Sequence, residues 1–301
     1  MMRAWVRTEY GGPEVVRLVD VPEPAPEAGE LLVRVRATTV NRTDVAYRSG
    51  KPWINKAFCG WPRPRARRRI LGSEYAGVVE AVGEGVTSFA VGDRVFGFVD
   101  GRPGAHAELV AVPADGLVAT VPDGWSFEDA APATEGAHYA LAFPRVARTQ
   151  PGDRVLVHGA TGAIGSALVQ ILVADGVSVT AVTDQPLPRD LGADDVVAGP
   201  YDAICDAVGK SSYAAYRHLL AGRGTYASSD LYRGLVLAPR RVRFPLPKAN
   251  PEVAARIRAL MESGAFRPLV DRTYPFDEIR AAYEFVDTGR KVGSVVVSVP
   301  Q

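Results

Sequence analysis

The chain of 301 residues sets 35 Lys and Arg against 34 Asp and Glu, a formal charge of +1, with 47% hydrophobic and 23% charged residues. That composition suits a globular chain long enough for two domains, and its balance gives no overall field to draw nucleic acid or a membrane as partner. Two cysteines, Cys59 and Cys205, exclude a disulfide framework, and neither an apolar leader nor a run of about 18 apolar residues occurs, so a cytoplasmic, reducing location is expected.

From Met2 to about Val121, short alternating apolar runs such as Glu30–Ala37 and Gly77–Gly83 are separated by turn residues, among them Gly11-Gly12-Pro13, Gly92-Asp93 and Pro103-Gly104. This half is predicted to be β-rich, as small sheets or a barrel. Ser126, with Asp129 three residues on, opens an Ala-rich helical connector that runs toward Arg148. A buried strand at Arg154–His158, a glycine turn from Gly159 to Gly165, a helix over Ser166–Ala174 and a second strand at Val177–Thr183 make a βαβ unit. Further strands are expected at Asp195–Ala198, Ala203–Asp206 and Thr225–Ser228, with a helix from about Ser212 to Leu220. The alternation predicts an α/β domain with a doubly wound parallel sheet. Helices at Pro251–Ser263 and Phe276–Thr288 and a strand at Ser294–Val299 complete the chain.

The run His158-Gly-Ala-Thr-Gly-Ala-Ile-Gly165 follows a strand and opens a helix. Gly159 permits the tight turn, Gly162 lets backbone approach a pyrophosphate, and Gly165 lets the helix pack on the strand, while the helix N-terminus offers free N–H groups to phosphates. Ala160, Thr161, Ala163 and Ile164 complete this candidate dinucleotide loop. The spacing is GxxGxxG rather than GxGxxG, and a plain structural turn in an α/β sheet remains the alternative. Asp184, at the end of the second strand, is placed to bind ribose hydroxyls and favours NAD; Arg189 nearby favours a 2′-phosphate, and an Asp after a strand also serves simply as a turn residue. Pro186 and Pro188 fall where the next crossover helix should begin, so that helix is expected to be short or missing, weakening the adenosine end of the site.

Val40-Asn-Arg-Thr-Asp44 with Arg48-Ser-Gly50, Leu71-Gly-Ser-Glu-Tyr-Ala-Gly-Val-Val79, Phe89-Ala-Val-Gly-Asp-Arg-Val-Phe-Gly97, the glycine loop, Leu191-Gly-Ala-Asp194, Asp206-Ala-Val-Gly209 and Gly293-Ser-Val-Val-Val297 occur in an order and spacing that cover nearly the whole chain. With these motifs the chain resembles the zinc-independent branch of the medium-chain dehydrogenase/reductase superfamily, the quinone oxidoreductase-like enzymes. The resemblance implies a GroES-like catalytic domain made of residues 1–123 and 267–301, a Rossmann domain over 124–266, NADP or NAD in the cleft, and a homodimer. It implies that Asn41 faces the nicotinamide and substrate and that Asp206, Ala207, Val208 and Gly209 pass beside the nicotinamide ribose. The alternatives are a turn residue for Asn41 and a strand-end turn for the loop.

Where many relatives carry Ala-Gly-Leu-Thr, with a Thr near the nicotinamide, this chain reads Thr134-Glu-Gly-Ala-His-Tyr139. Thr134 is the corresponding cofactor candidate, and His138 and Tyr139 are candidate proton donors or orienting groups, against the reading of a buried His and Tyr with satisfied polar tips. Tyr47 is a further candidate of the same kind, and Asp44 reads as structural. The zinc-dependent relatives place Cys near Asn41 and His before the glutamate of Ser73-Glu74, so no metal is expected.

The activity implied is hydride transfer from NAD(P)H to an activated alkene, an enone or quinone; the alternative is a non-redox cyclase or isomerase, or a nucleotide-binding protein. Arg63-Pro-Arg-Ala-Arg-Arg-Arg69 reads as a solvated loop or, if it overhangs the cleft, as an attractor for an anionic or carrier-bound small-molecule substrate. The run lacks interleaved aromatics for base stacking, which argues against nucleic acid. Leu231–Val242 is a candidate dimer edge.

Overall fold

The computed structural model describes residues 1–99, 101–186, 191, 193, 198–209, 211–229 and 241–300. The chain divides into two compact units, Met1–Thr134 with Ala249–Arg258 and Val270–Gln301, and Glu135–Lys248 with Ala259–Leu269.

In the first unit β1 (Met2–Arg7) pairs antiparallel with β2 (Val16–Val21). A seven-stranded sheet is built around β3 (Glu30–Val40), which is flanked by β4 (Glu74–Val82). Beyond β4 lie β5 (Arg94–Phe98) and then β7 (Leu117–Thr120), while β6 (Leu109–Pro113) and the carboxy-terminal strand Ser294–Ser298 share the other side of β3, and Val270–Pro275 pairs parallel with that last strand at the edge. β3 is paired along both edges and alternates, with Leu31, Val33, Val35 and Val40 in the core and Arg34 and Arg36 between them. The helix Ile279–Asp287 lays Ile279, Ala282, Tyr283 and Val286 on that core, an i, i+3, i+4, i+7 stripe. Helix α1 (Arg42–Ser49) leaves β3 directly and is followed by α2 (Ile54–Cys59). Arg7, fully buried on β1, donates from Nη1 to the carbonyls of Tyr47 and Arg48, so a cation closes the carboxy-terminal turn of α1.

In the second unit β8 (Arg154–His158), β9 (Ser178–Val182), β10 (Tyr201–Asp206), β11 (Leu220–Ser228) and β12 (Val242–Arg243) form an all-parallel sheet in the order β12-β11-β10-β8-β9. This is the doubly wound α/β sheet expected from the alternation. The order reverses at β8, whose neighbours β9 and β10 lie on opposite sides, and ligands in such sheets bind at the carboxyl ends of the strands at that switch point.

Two elements differ from expectation. The connector is three short helices, α3 (Phe127–Ala130), α4 (Ala133–Ala140) and α5 (Ala142–Ala147), rather than one. Pro132 has no N–H to bond the Glu128 carbonyl, which interrupts the ladder. The helix expected over Ser212–Leu220 is a single turn at Tyr213–Tyr216 and a 3-10 turn at Arg217–Leu219, because pairing of Leu220 with Tyr201 draws the chain into β11 early. The expected strand at Asp195–Ala198 lies outside the described residues except for Ala198, as do Arg189 and all but the end of Leu231–Val242. Among the described residues no helix is long and apolar enough to cross a membrane.

Candidate functional site

Each glycine of the loop after β8 has its own physical reason. Gly159 holds φ at +81°, and a Cβ there would lie 2.6 Å from the Val208 side chain. At Gly165, in the first turn of α6 (Ala163–Ala174), a Cβ would fall 2.1 Å from the Gly159 carbonyl oxygen, so only glycine lets the helix close on the turn. Gly136 on α4 makes the same kind of approach to the Ala163 carbonyl, at 2.6 Å. Gly162 is different: its Cβ would meet only the Gly159 oxygen, at 3.5 Å, and as the N-cap of α6 it supplies no side-chain cap. The first turn of α6 is therefore left with backbone N–H groups for an anion, since the first ladder bond is Ser166 N–H to the Gly162 carbonyl. Ala160 and Thr161 are buried, Ala163 and Ile164 half-buried, and the Thr161 hydroxyl meets that of Thr183 at 2.9 Å, fastening the loop to the end of β9.

Asp206, at the carboxyl end of β10, is fully buried and surrounded by donors. Oδ1 accepts from the N–H groups of Val208 (3.2 Å) and Gly209 (2.9 Å), and Oδ2 from Ser211 N–H (3.0 Å) and the hydroxyls of Tyr226 (3.2 Å) and Ser228 (3.3 Å). Its work is to hold the turn Ala207–Gly209, in which Ala207 is buried and Val208 is exposed. Asp184 is exposed beyond β9. His158, which the sequence alone did not single out, sits at the end of β8 with Nδ1 2.9 Å from the Tyr216 hydroxyl.

In the first unit Asn41 is the N-cap of α1 and is buried. Its Oδ1 accepts the Asp44 N–H (2.9 Å), its own N–H is held by Asp44 Oδ2 (3.1 Å), and its Nδ2 donates to Ser73 Oγ (2.9 Å). Asp44 also accepts the Gly72 N–H at 3.0 Å. Burial pushes the Asp44 carboxyl up to about 7 against those two N–H bonds. His106, equally buried, is pulled down to about 4, and its Nε2 lies 2.8 Å from the Thr39 carbonyl, so it is a neutral imidazole donating to that oxygen. The 3.9 Å separation of Asp44 and His106 is accordingly not an ion pair at neutral pH. Glu74, also buried, accepts from the hydroxyls of Thr39 (2.6 Å) and Thr134 (3.0 Å). Thr134 is thus tied to the glutamate of the Gly72-Ser-Glu74 motif. Tyr47 is half-buried against the core of this unit.

On α4, His138 is buried and its ring lies 4.5 Å from that of Tyr139, which is half-buried. Ser73, Glu74 and His106 are not among the site candidates read from the sequence; the signal that could have marked them is Gly72, where φ is +89° and an added Cβ would lie 2.4 Å from the His106 ring. The donor set around Asn41 does not fit a zinc ion, because an amide and a hydroxyl stand where that metal prefers thiolate and imidazole. Among the described residues no three His, Cys, Asp or Glu side chains converge as metal ligands. A nucleotide fits the second unit better: the open face of Gly162 and the uncapped start of α6 leave room and donors for a pyrophosphate.

Two family matches agree with this architecture: the alcohol dehydrogenase GroES-like domain over residues 27–123 and the zinc-binding dehydrogenase family over residues 178–297. The quinone oxidoreductase of Rattus norvegicus is 30% identical, with 99% of this chain and 98% of the relative aligned. The 2-methylene-furan-3-one reductase of Solanum lycopersicum is 29% identical over 98% of this chain and 79% of its own. Among solved structures, mycobacterial Rv1454c complexed with NADPH superposes with a TM-score of 0.82 at 32% identity, covering 99% of this chain and 100% of that one. A GroES-like sheet, a doubly wound nucleotide sheet and relatives aligned from end to end place the chain in the medium-chain dehydrogenase/reductase superfamily, among its quinone oxidoreductase-like, NAD(P)-dependent oxidoreductases.

Proposed function

We propose that the protein uses NADPH or NADH to reduce the carbon–carbon double bond of a small enone or quinone. The observation that carries the cofactor half is the start of α6, where Gly162 is open and no side chain occupies the backbone donors. The alkene half is supported by the relatives named for a quinone and for a 2-methylene-furan-3-one, both of which present a double bond conjugated to a carbonyl. When bound, the cofactor supplies a hydride for the carbon β to that carbonyl.

The chain's own residues do the rest. The N–H groups at the start of α6 hold the phosphates, Asp184 takes ribose hydroxyls, and the turn Ala207–Gly209, pinned by Asp206, borders the nicotinamide end. The Asn41 amide has two N–H donors; one is given to Ser73, and the carbonyl side is held by Asp44. The remaining N–H is fixed in direction and meets the substrate oxygen as negative charge develops on it, with no reorganisation at the moment of reaction. Tyr139, steadied by the His138 ring, returns the proton to the α-carbon, or water does so in its place. Thr134 supports the nicotinamide end from its bond to Glu74, and Tyr47 lines the substrate side.

The test is isotopic. Cofactor deuterated at the transferable position, given with a panel of enones and quinones, should leave deuterium on the β-carbon of the reduced enone. Absence of binding by both cofactors, or turnover without label in the product, would sink the reading.

A further inference from the structure

Among the described residues, every exposed Trp or Phe lies in one stretch of the first unit: Trp53 is 68% exposed, Phe58 59% and Trp61 72%. Between Asp44 and Glu74 the chain has no carboxylate, and besides the buried Arg48 it carries seven Lys and Arg in a protein whose formal charge is +1. Arg63, Arg65, Arg67 and Arg69 are exposed, and among the described residues none of them meets a carboxylate. The stretch is held in place while its tips are displayed: Asn55 donates to the Lys51 carbonyl at 2.9 Å, the Arg65 N–H to the Cys59 carbonyl at 2.8 Å, and the Tyr10 hydroxyl bonds the Gly60 carbonyl. Leaving three large aromatic side chains in water on a braced loop is unfavourable unless something covers them.

We propose that this stretch, from Lys51 to Arg69, docks the protein onto an anionic lipid bilayer, the aromatic tips entering the headgroup boundary and the four exposed arginines meeting lipid phosphates. The chemistry selects this occupant. Aromatic tips beside exposed arginines match the two layers of a bilayer surface, and the absence of carboxylates within the stretch suits a potential of one sign. Nucleic acid fits less well, because the Trp61 face needed for base stacking already has the Lys56 ammonium over it, 5.1 Å from the ring centre. A protein partner is the less favoured occupant, because the stretch itself carries no carboxylate to pair with a partner's cations. The contact lies on the bilayer and does not cross it, and it is independent of the reductive chemistry.

Sedimentation of the intact protein with vesicles tests this. Vesicles containing about one-third phosphatidylglycerol should pellet it, pure phosphatidylcholine should not, and molar salt should release it. Replacing the arginines at 63, 65, 67 and 69 by Gln should lower the partition coefficient about 1,000-fold. The triple variant Trp53→Ser, Phe58→Ser, Trp61→Ser should lower it about tenfold while keeping the salt dependence. In the unaltered protein, tryptophan emission should shift to the blue on adding anionic vesicles, since Trp53 and Trp61 are its exposed indoles. The proposal is overturned by any of these: no pelleting with anionic vesicles, equal pelleting by phosphatidylcholine, or an aromatic variant and an emission spectrum that do not respond. Salt-sensitive binding of RNA or of an acidic polypeptide without vesicle binding would overturn it in favour of that partner.

Discussion

At the start of α6 backbone N–H groups face no capping side chain, while around Asn41 the amide of Asn41, the carboxylates of Asp44 and Glu74 and the ring of His106 all have partners among themselves and their neighbours. The first region is ready to take a charged group from outside. The second is a closed network whose one spare donor is aimed by the bonds around it. On the proposed reading, a change at the open face of Gly162 would cost affinity with little stability, whereas a change in the network is felt in the fold of its own unit.

The largest expected effect tests the steric half of the loop. Gly165→Ala places a methyl 2.1 Å from the Gly159 carbonyl and should destabilise the protein by about 3 kcal/mol or more, read as a lowered thermal midpoint. A melting curve like that of the unaltered chain would show that the close approach is not required.

The next effect belongs to the network and is read as stability against pH. Between about pH 4 and 6.5 the folded chain keeps a proton on Asp44 that the unfolded chain has lost, so rising pH removes stability. In the same window His106 is neutral when folded and protonated when unfolded, so rising pH adds stability. The two slopes oppose and nearly cancel, until above pH 6.5 only the loss through Asp44 continues toward its value of about 7. Asp44→Asn should unmask the His106 slope and gain about 2 kcal/mol from pH 4 to 6.5, and His106→Gln should lose a similar amount over the rise to pH 7. Chemical denaturation across that range checks both, and flat profiles would refute the coupling.

Gly162→Ala sharpens the contrast from the other side. Its methyl makes only an ordinary contact at 3.5 Å, so stability should move by about 0.5 kcal/mol while NADPH affinity falls about tenfold, measured by calorimetry. The smallest effect is at the exposed Asp184: Asp184→Ser should shift the ratio of NADPH to NADH affinity about fivefold toward NADPH by removing a carboxylate that repels a 2′-phosphate. An unchanged ratio would place the discrimination elsewhere.

The parts legible in the sequence are those whose causes are local. The glycine loop, its strand and its helix could be read because a turn, a close approach and an open face each require glycine at one position. The three-part connector was not read, although Pro132 marked its interruption, because the Ala-rich composition on both sides spoke for one helix. Asn41 was found through its motif, yet its bonds to Ser73 and, through Asp44, to Gly72 span some thirty residues and leave no periodic trace. His106 was invisible for the same reason: its partners Thr39 and Tyr283 come from opposite ends of the chain.

The guanidinium of Arg7 has a mechanical consequence. Helix α1 is fastened in front by Asn41 and behind by a side chain from the seventh residue, so β1 acts as the rear mount of the helix that aims the Asn41 amide. Loss of this strand would remove that mount together with the buried side chains of Ala4 and Trp5.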